Sequence, residues 1–306
     1  MTRLAGVTLG GLVALQISVP AQEPRQTLRA GVELVLVDAV ALDRRGNPIH
    51  GLSKREFKVF EDGKLMPIQT FTEVSADAGA PDGRLIALLL DDVLVNPVLT
   101  ERVRQIASGF VRRMGPQDEM AIVRLNGDAG RSTRDRAALL ESIEGFQVRV
   151  VSPVVRWDEH ALDTIAELAM QFAEAEHPRK TLVCVGASAL FNLREPVQGD
   201  MFVRPNWFDA IRAAARHNVS VYVIDPNGLE GLDGVHDSGG FARETGGQAF
   251  RTNLFDRAVD QIWREAGNYY LLGYAATPEH TGTRTRRITV KTTRNDATVR
   301  ARRAIG

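Results

Sequence analysis

The chain has one cysteine, Cys184, in 306 residues. No intrachain disulfide can staple the fold, and no thiol stands near the N-terminus for lipid attachment. Cys184 lies inside the apolar run "TLVCVG", where a thiol serves as a packing group. The six histidines, at 50, 160, 177, 217, 236 and 280, have no H-x-x-x-H or H-x-H spacing and no cysteine beside them. Common zinc patterns are therefore excluded. Neither sign of charge dominates, with 38 Lys and Arg against 38 Asp and Glu. The whole molecule has no field that would draw it to nucleic acid or to an anionic membrane. Dinucleotide and P-loop glycine patterns are also missing. The nearest approach to G-x-S-x-G is "GASAL" around Ser188, which lacks the final glycine that a nucleophile turn needs.

What is present is a globular composition, 44% hydrophobic and 25% charged, in a chain long enough for two ordinary domains. Its opening, "MTRLAGVTLGGLVALQISVPAQEPRQ", has Arg3, then an uncharged run up to Glu23, with "VPA" before Gln22. This predicts a secretory signal over residues 1–21 and export to the periplasm or beyond. An uncleaved anchor is the rival, but Gly6, Gly10, Gly11, Gln16 and Ser18 leave the run weakly apolar for a span of about 20 residues.

Residues 30–75 read as a β module. "VELVLVDAVAL" carries apolar residues on both faces, which suits a strand covered on two sides. A Gly-Asn-Pro turn and a short helical "SKREF" follow, and Asp62-Gly63 predicts a type I′ hairpin. "SADAGAPDG", residues 75–83, marks a boundary, with the linker placed at 76–84. Over 85–266 strand and helix alternate, with five apolar strands beginning at "RLIALLL", "MAIVRL", "KTLVCVG", "VSVYVID" and "GGQAFRT". Helical crossovers between strands predict an α/β fold with a mainly parallel sheet covered on both faces. Residues 267–306 return to β signal in "NYYLLGYAAT", "RRITVKTT" and "TVRARR". Neither terminal group has enough strands for a comfortable sheet pair of its own. They are expected to pair with each other in one β-sandwich-like module, with the α/β domain inserted in it.

Together, "LLLDD", "TRDRAALLESIEGF", "PRKTLVCVGAS", "VSVYVIDPNGL", "ARETGGQAF" and "NYYLLGYAATPE" resemble the von Willebrand factor A domain of secreted bacterial VWFA-related proteins, of the acidobacterial type. The flanks "VELVLVDAVALDRRGNPIHGLSKREFKVFEDGK" and "RRITVKTTRNDATVRARRAIG" are similar to that family's outer modules, so the resemblance spans nearly everything after the signal.

The resemblance implies a specific role for Asp91. A vWA domain with an intact metal-ion-dependent adhesion site ends its first strand in D-x-S-x-S. It adds a threonine from a later loop and an aspartate after its fourth strand, and a partner carboxylate completes the shell of a hard cation. Asp91 matches the first acid, but Val93 and Val95 stand at the serine positions. The fourth-strand turn reads "CVGAS", with Gly186 or Ala187 in place of the acid. The loop before the long helix offers Arg156 and Asp158, while Thr164 lies deeper in that helix. The implied site is degenerate. No cofactor is expected, and Asp91 and Asp92, with Asn96, are the residual candidates for Mg²⁺ or Ca²⁺. Adjacent strand residues point to opposite faces, so Asp91 and Asp92 are not expected to share a proton. Asp91 should accept backbone N–H bonds in its loop, and Asp92 should be a solvated charge or the partner of an arginine.

The expected function is that of an exported, non-enzymatic protein-binding domain. In an open parallel sheet the functional crevice lies at the carboxyl ends of the strands, so the partner should meet loops 91–97, 126–134, 152–158, 186–206 and 226–240. The rim residues are Asp91, Asp92, Asn96, Trp157, Asp158, Ser188, Phe202 and Trp207, the aromatic ones supplying apolar contact; Trp263 is expected in the core. Two alternatives stay open. One is a hydrolase using Ser188, or His236 in the glycine-rich "GLEGLDGVHDSGGFA". The other is an envelope scaffold that binds an anionic polymer through residues 281–306, which hold eight Lys and Arg against Asp296 alone.

Overall fold

The first strand dictates the architecture, because it is buried on both faces. In the computed structural model, which describes residues 34–76, 83–127, 130–149, 157–186, 205–231, 240–275 and 286–305, strand β1 (Leu34–Leu42) is covered throughout from Val37 onward. Val35, Val37, Ala39 and Ala41 enter one apolar cluster. On the other face Val40 and Leu42 pack with Tyr269, and Asp38 accepts a 3.2 Å hydrogen bond from Ser220. The expected signal segment, Ser188, Phe202 and His236 lie outside the described residues.

Strands β2 (Phe57–Glu61), β3 (Lys64–Met66) and β4 (Thr70–Ser75) follow. Asp62 and Gly63 join β2 to β3 with φ of 47° and 83°, the two positive values that a type I′ turn requires. The short "SKREF" stretch is a single 3₁₀ turn, Lys54–Glu56, closed by a capping box between Ser53 and Glu56.

The α/β unit comprises β5 (Leu85–Leu90), α1 (Thr100–Arg113), β6 (Glu119–Arg124), α2 (Arg136–Glu144), α3 (Trp157–Gln171), β7 (Lys180–Val185), α4 (Pro205–Arg216), β8 (Val219–Ile224), α5 (Gly240–Glu244), β9 (Ala249–Phe250) and α6 (Phe255–Gly267). Its five strands are parallel in the order β6-β5-β7-β8-β9, an arrangement that fits a Rossmann-like core. Period-two alternation sorts β5 between two layers. Leu85, Ala87 and Leu89 face α3, α4 and α5, and Ile86, Leu88 and Leu90 face α1, α2 and α6. Gly247 lets the turn before β9 pass against β8, since a Cβ there would stand 1.9 Å from the Val221 carbonyl oxygen.

Strands β10 (Asn268–Ala275), β11 (Arg286–Thr292), β12 (Thr298–Ala301) and β13 (Ala304–Ile305) complete two four-stranded sheets, ordered β12-β1-β10-β4 and β13-β11-β2-β3. β1 pairs antiparallel with β10 and β12, and β2 with β11. The two ends of the chain therefore build one module, and the α/β unit leaves it after β4 and returns at β10.

A buried polar network joins the two units. Arg179, just before β7, stands 3.1 Å from Asp38 and donates to the Tyr222 hydroxyl at 3.0 Å. That hydroxyl donates to Glu265 at 2.8 Å, and Arg300 of β12 donates to Glu265 at 2.7 Å. Arg302 extends the contact by donating to the carbonyl oxygens of Ala215 and Leu36. Burial raises the Tyr222 pKa, and the Glu265 charge raises it further. Burial alone would lower that of Arg179, but Tyr222, Asp38 and Glu265 hold the net value above the ordinary one.

Candidate functional site

The strand order places the crevice. In an open parallel sheet the crevice is expected at the carboxyl ends of the strands where the strand order reverses, and in the order β6-β5-β7-β8-β9 that point lies between β5 and β7. Asp91 sits at this point, and its N–H donates to Val185 O at 3.0 Å.

The carboxylates at these strand ends are buried and serve the local backbone. Asp91 is fully buried, and its Oδ1 accepts from Val93 N at 3.1 Å and Leu94 N at 2.8 Å. Asp92 is 1% exposed; its Oδ1 accepts from Asn126 N at 2.8 Å, which ties the β5 loop to the β6 loop. Its Oδ2 is sealed from solvent and has no hydrogen-bond partner among the described residues. Asp225, at the end of β8, accepts from the backbone and side-chain nitrogens of Asn227, each at 2.9 Å, and lies 3.5 Å from Arg251 Nε. His160 donates from Nε2 to Leu125 O at 2.9 Å, with the Trp157 ring packed edge-on against it.

The expectations at single residues divide. Asp91 accepts backbone N–H bonds in its loop, as the sequence suggests. Asp92 is not a solvated charge, because Asn126 draws it inward, and no arginine side chain pairs with it among the described residues. Asn96 is exposed, and its Oδ1 caps a 3₁₀ turn, Pro97–Leu99, by accepting from Val98 N. Trp157 is half-buried against the core at the first position of α3, with Asp158 next to it. Trp207 corrects the sequence reading: it is 3% exposed and packs edge-on against Phe208 and Phe241. The amphipathic face of α4 turns it into the core, so it is no part of a contact surface. Trp263 is half-buried, with the Arg84 guanidinium 4.7 Å from its ring. Sequence reasoning passed over Asp225, Asn126 and His160 as site residues, although an acid closing "VYVID" repeats the pattern at Asp91.

Among the described residues the donor set does not fit a hard divalent cation. Val93 and Val95 offer no side-chain oxygen, Val95 is 2% exposed and packed inward, and one Asp91 oxygen holds two N–H groups. Among the described residues no cluster of three or more His, Cys, Asp or Glu has the geometry of a metal site. Cys184 lies beneath Asp91, where burial and then the Asp91 charge push its thiol pKa up, the opposite of an activated nucleophile. No family model matches the chain, and no curated protein matches it. Among the described residues no helix is long and apolar enough to cross a membrane.

Five of the described arginines in the basic terminal strands are engaged, while Lys291 and Arg303 are exposed without an ion pair among the described residues. Arg286 pairs with Glu61 at 3.0 Å, Arg287 with Glu244 at 3.5 Å, and Arg294 with Asp296 at 2.6 Å. Arg300 is committed to Glu265, and Arg302 to backbone carbonyls.

Proposed function

We propose that the chain is an exported, non-enzymatic protein-binding module of the von Willebrand factor A type, with a degenerate metal-ion-dependent adhesion site. It meets a protein partner through the rim at the carboxyl ends of the parallel sheet. The observation that carries this reading is the use made of the rim carboxylates. Asp91, Asp92 and Asp225 all turn inward onto loop N–H groups, so they shape the loops and leave recognition to the groups those loops present. The sequence resemblance and the five-stranded parallel sheet support the family assignment, and the inserted position of the α/β unit is in keeping with it.

Site-specific photo-crosslinking tests the reading. A photoreactive residue at Asn96, on the rim, is compared with one at the exposed Met170 of α3, in cell-envelope extract with Mg²⁺ or with EDTA. The same partner protein cross-linked from Asn96 under both conditions, and not from Met170, supports metal-free recognition at the rim. Loss of the product in EDTA restores a metal-dependent site, and equal products from both positions refute rim recognition.

A further inference from the structure

A groove of about 490 Å³ runs between α1 and α6 on the helical face of the sheet, outside the rim. Its lining includes Arg102, Arg112 and Arg257, against Asp256 as the only acid. This excess is local, because the whole chain balances 38 cationic against 38 acidic residues. The groove is also braced. Arg113 of α1 and Asp260 of α6 form a 2.6 Å ion pair, and Arg102 donates to Pro226 O at 2.8 Å while lying 5.6 Å from the Phe255 ring centroid. Arg112 and Arg257 are exposed and have no ion-pair or side-chain hydrogen-bond partner among the described residues. Leu254, 55% exposed, adds apolar surface at the upper end, where it stands as the N-cap of α6 without a side-chain cap bond.

We infer that this groove docks an acidic peptide segment of a partner protein, with carboxylates on Arg112 and Arg257 and an aliphatic side chain against Leu254. Charge complementarity selects the sign of the ligand. Length selects its kind: the ten residues from Arg102 to Arg112 span about 15 Å of helix axis, too long for one small anion and matched by four or five extended residues at about 3.3 Å each. Nucleic acid fits less well, because recognition of single strands needs free aromatic faces for stacking and the Phe255 face is already covered by Arg102. The inference does not rest on the rim reading.

Fluorescence anisotropy tests it. The full chain is titrated against a fluorescein-labelled eight-residue peptide of alternating Glu and Leu, the matching Lys and Leu peptide, and a labelled dT oligonucleotide of equal length. The expected result is saturable binding of the Glu peptide alone, weakened at least tenfold in both Arg112→Glu/Arg257→Glu and Arg112→Gln/Arg257→Gln. Arg136→Glu, an exposed arginine on α2, should leave it unchanged. Urea midpoints equal to the parent's confirm that the variants are folded, and the milder glutamine pair serves if the reversed pair is not. Glu-peptide binding that is absent, matched by the Lys peptide or the oligonucleotide, or unchanged in the folded double variants overturns the inference.

Discussion

Asp38 Oδ2 and Arg179 Nη1 stand 3.1 Å apart at the junction of the β module and the α/β unit, with side chains 2% and 1% exposed. One belongs to the first strand of the module and the other to the approach to β7, 141 positions later in the sequence. Desolvation offsets much of what such a pair gains, but removing one member leaves the other buried without its counter-charge. Arg179→Met should therefore destabilise the protein by about 3–5 kcal/mol, while Asp38→Leu/Arg179→Met should cost much less. A double-mutant cycle by urea denaturation measures both; a double variant as unstable as the two single losses added together refutes the coupling.

The insertion of the α/β unit between β4 and β10 and this network predict that both units unfold together. All three tryptophans, Trp157, Trp207 and Trp263, lie in the α/β unit, so their fluorescence reports that unit alone, whereas far-UV circular dichroism reports both. The two urea curves should coincide. Separate transitions would show two cooperative units.

Tyr222 sets an alkaline limit. Its folded pKa lies above the ordinary value of 10.0, first through burial and second through the neighbouring Glu265 charge. The unfolded chain therefore releases this proton first as pH rises. The stability contributed by the neutral hydroxyl is fully present below pH 10.0 and is lost progressively as pH rises above it toward the folded value. Tyr222→Phe should lower stability at pH 8, because Arg179 and Glu265 lose their bridge, and should flatten the decline above pH 10. Urea midpoints at a series of pH values check the sign; a parallel decline in the variant assigns the alkaline loss elsewhere.

Asp91→Ala removes the acceptor for the Val93 and Leu94 N–H groups. The cost should be about 1–3 kcal/mol, the range for buried donors left unpaired. Thermal melts of parent and variant should differ by the same amount with and without millimolar Mg²⁺ or Ca²⁺. Stabilisation of the parent alone by either cation would show that Asp91 is a ligand.

Trp207→Ala opens a cavity beside Phe208 and Phe241 and should cost about 3–5 kcal/mol, as for other buried aromatics. Trp157→Ala should cost less, since Trp157 is half-buried. Unfolding midpoints rank the two, and the reverse order would place Trp207 at the surface.

Much of the fold is local and was legible. Continuous apolar runs separated by amphipathic segments specify buried parallel strands, because such strands need helical crossovers and cover on both sides. Asp62-Gly63 specified its own hairpin through the two positive φ values the turn demands. The absence of side-chain oxygens at Val93 and Val95 was likewise written in the chain. The burial of a polar residue was not, since it depends on partners far away in sequence. Asp92 is drawn in by Asn126 N from the next loop, and Trp207 lies on the side of α4 that meets Phe241. Sequence could not show that Arg286, Arg287 and Arg300 of the last strands stand beside Glu61, Glu244 and Glu265. Sequence alone determined which segments are strands and helices, because periodicity and turn chemistry act over a few residues. Only the tertiary structure decided which charges are spent internally and which stay free in the groove between α1 and α6, because desolvation and pairing are properties of surroundings assembled from the whole chain.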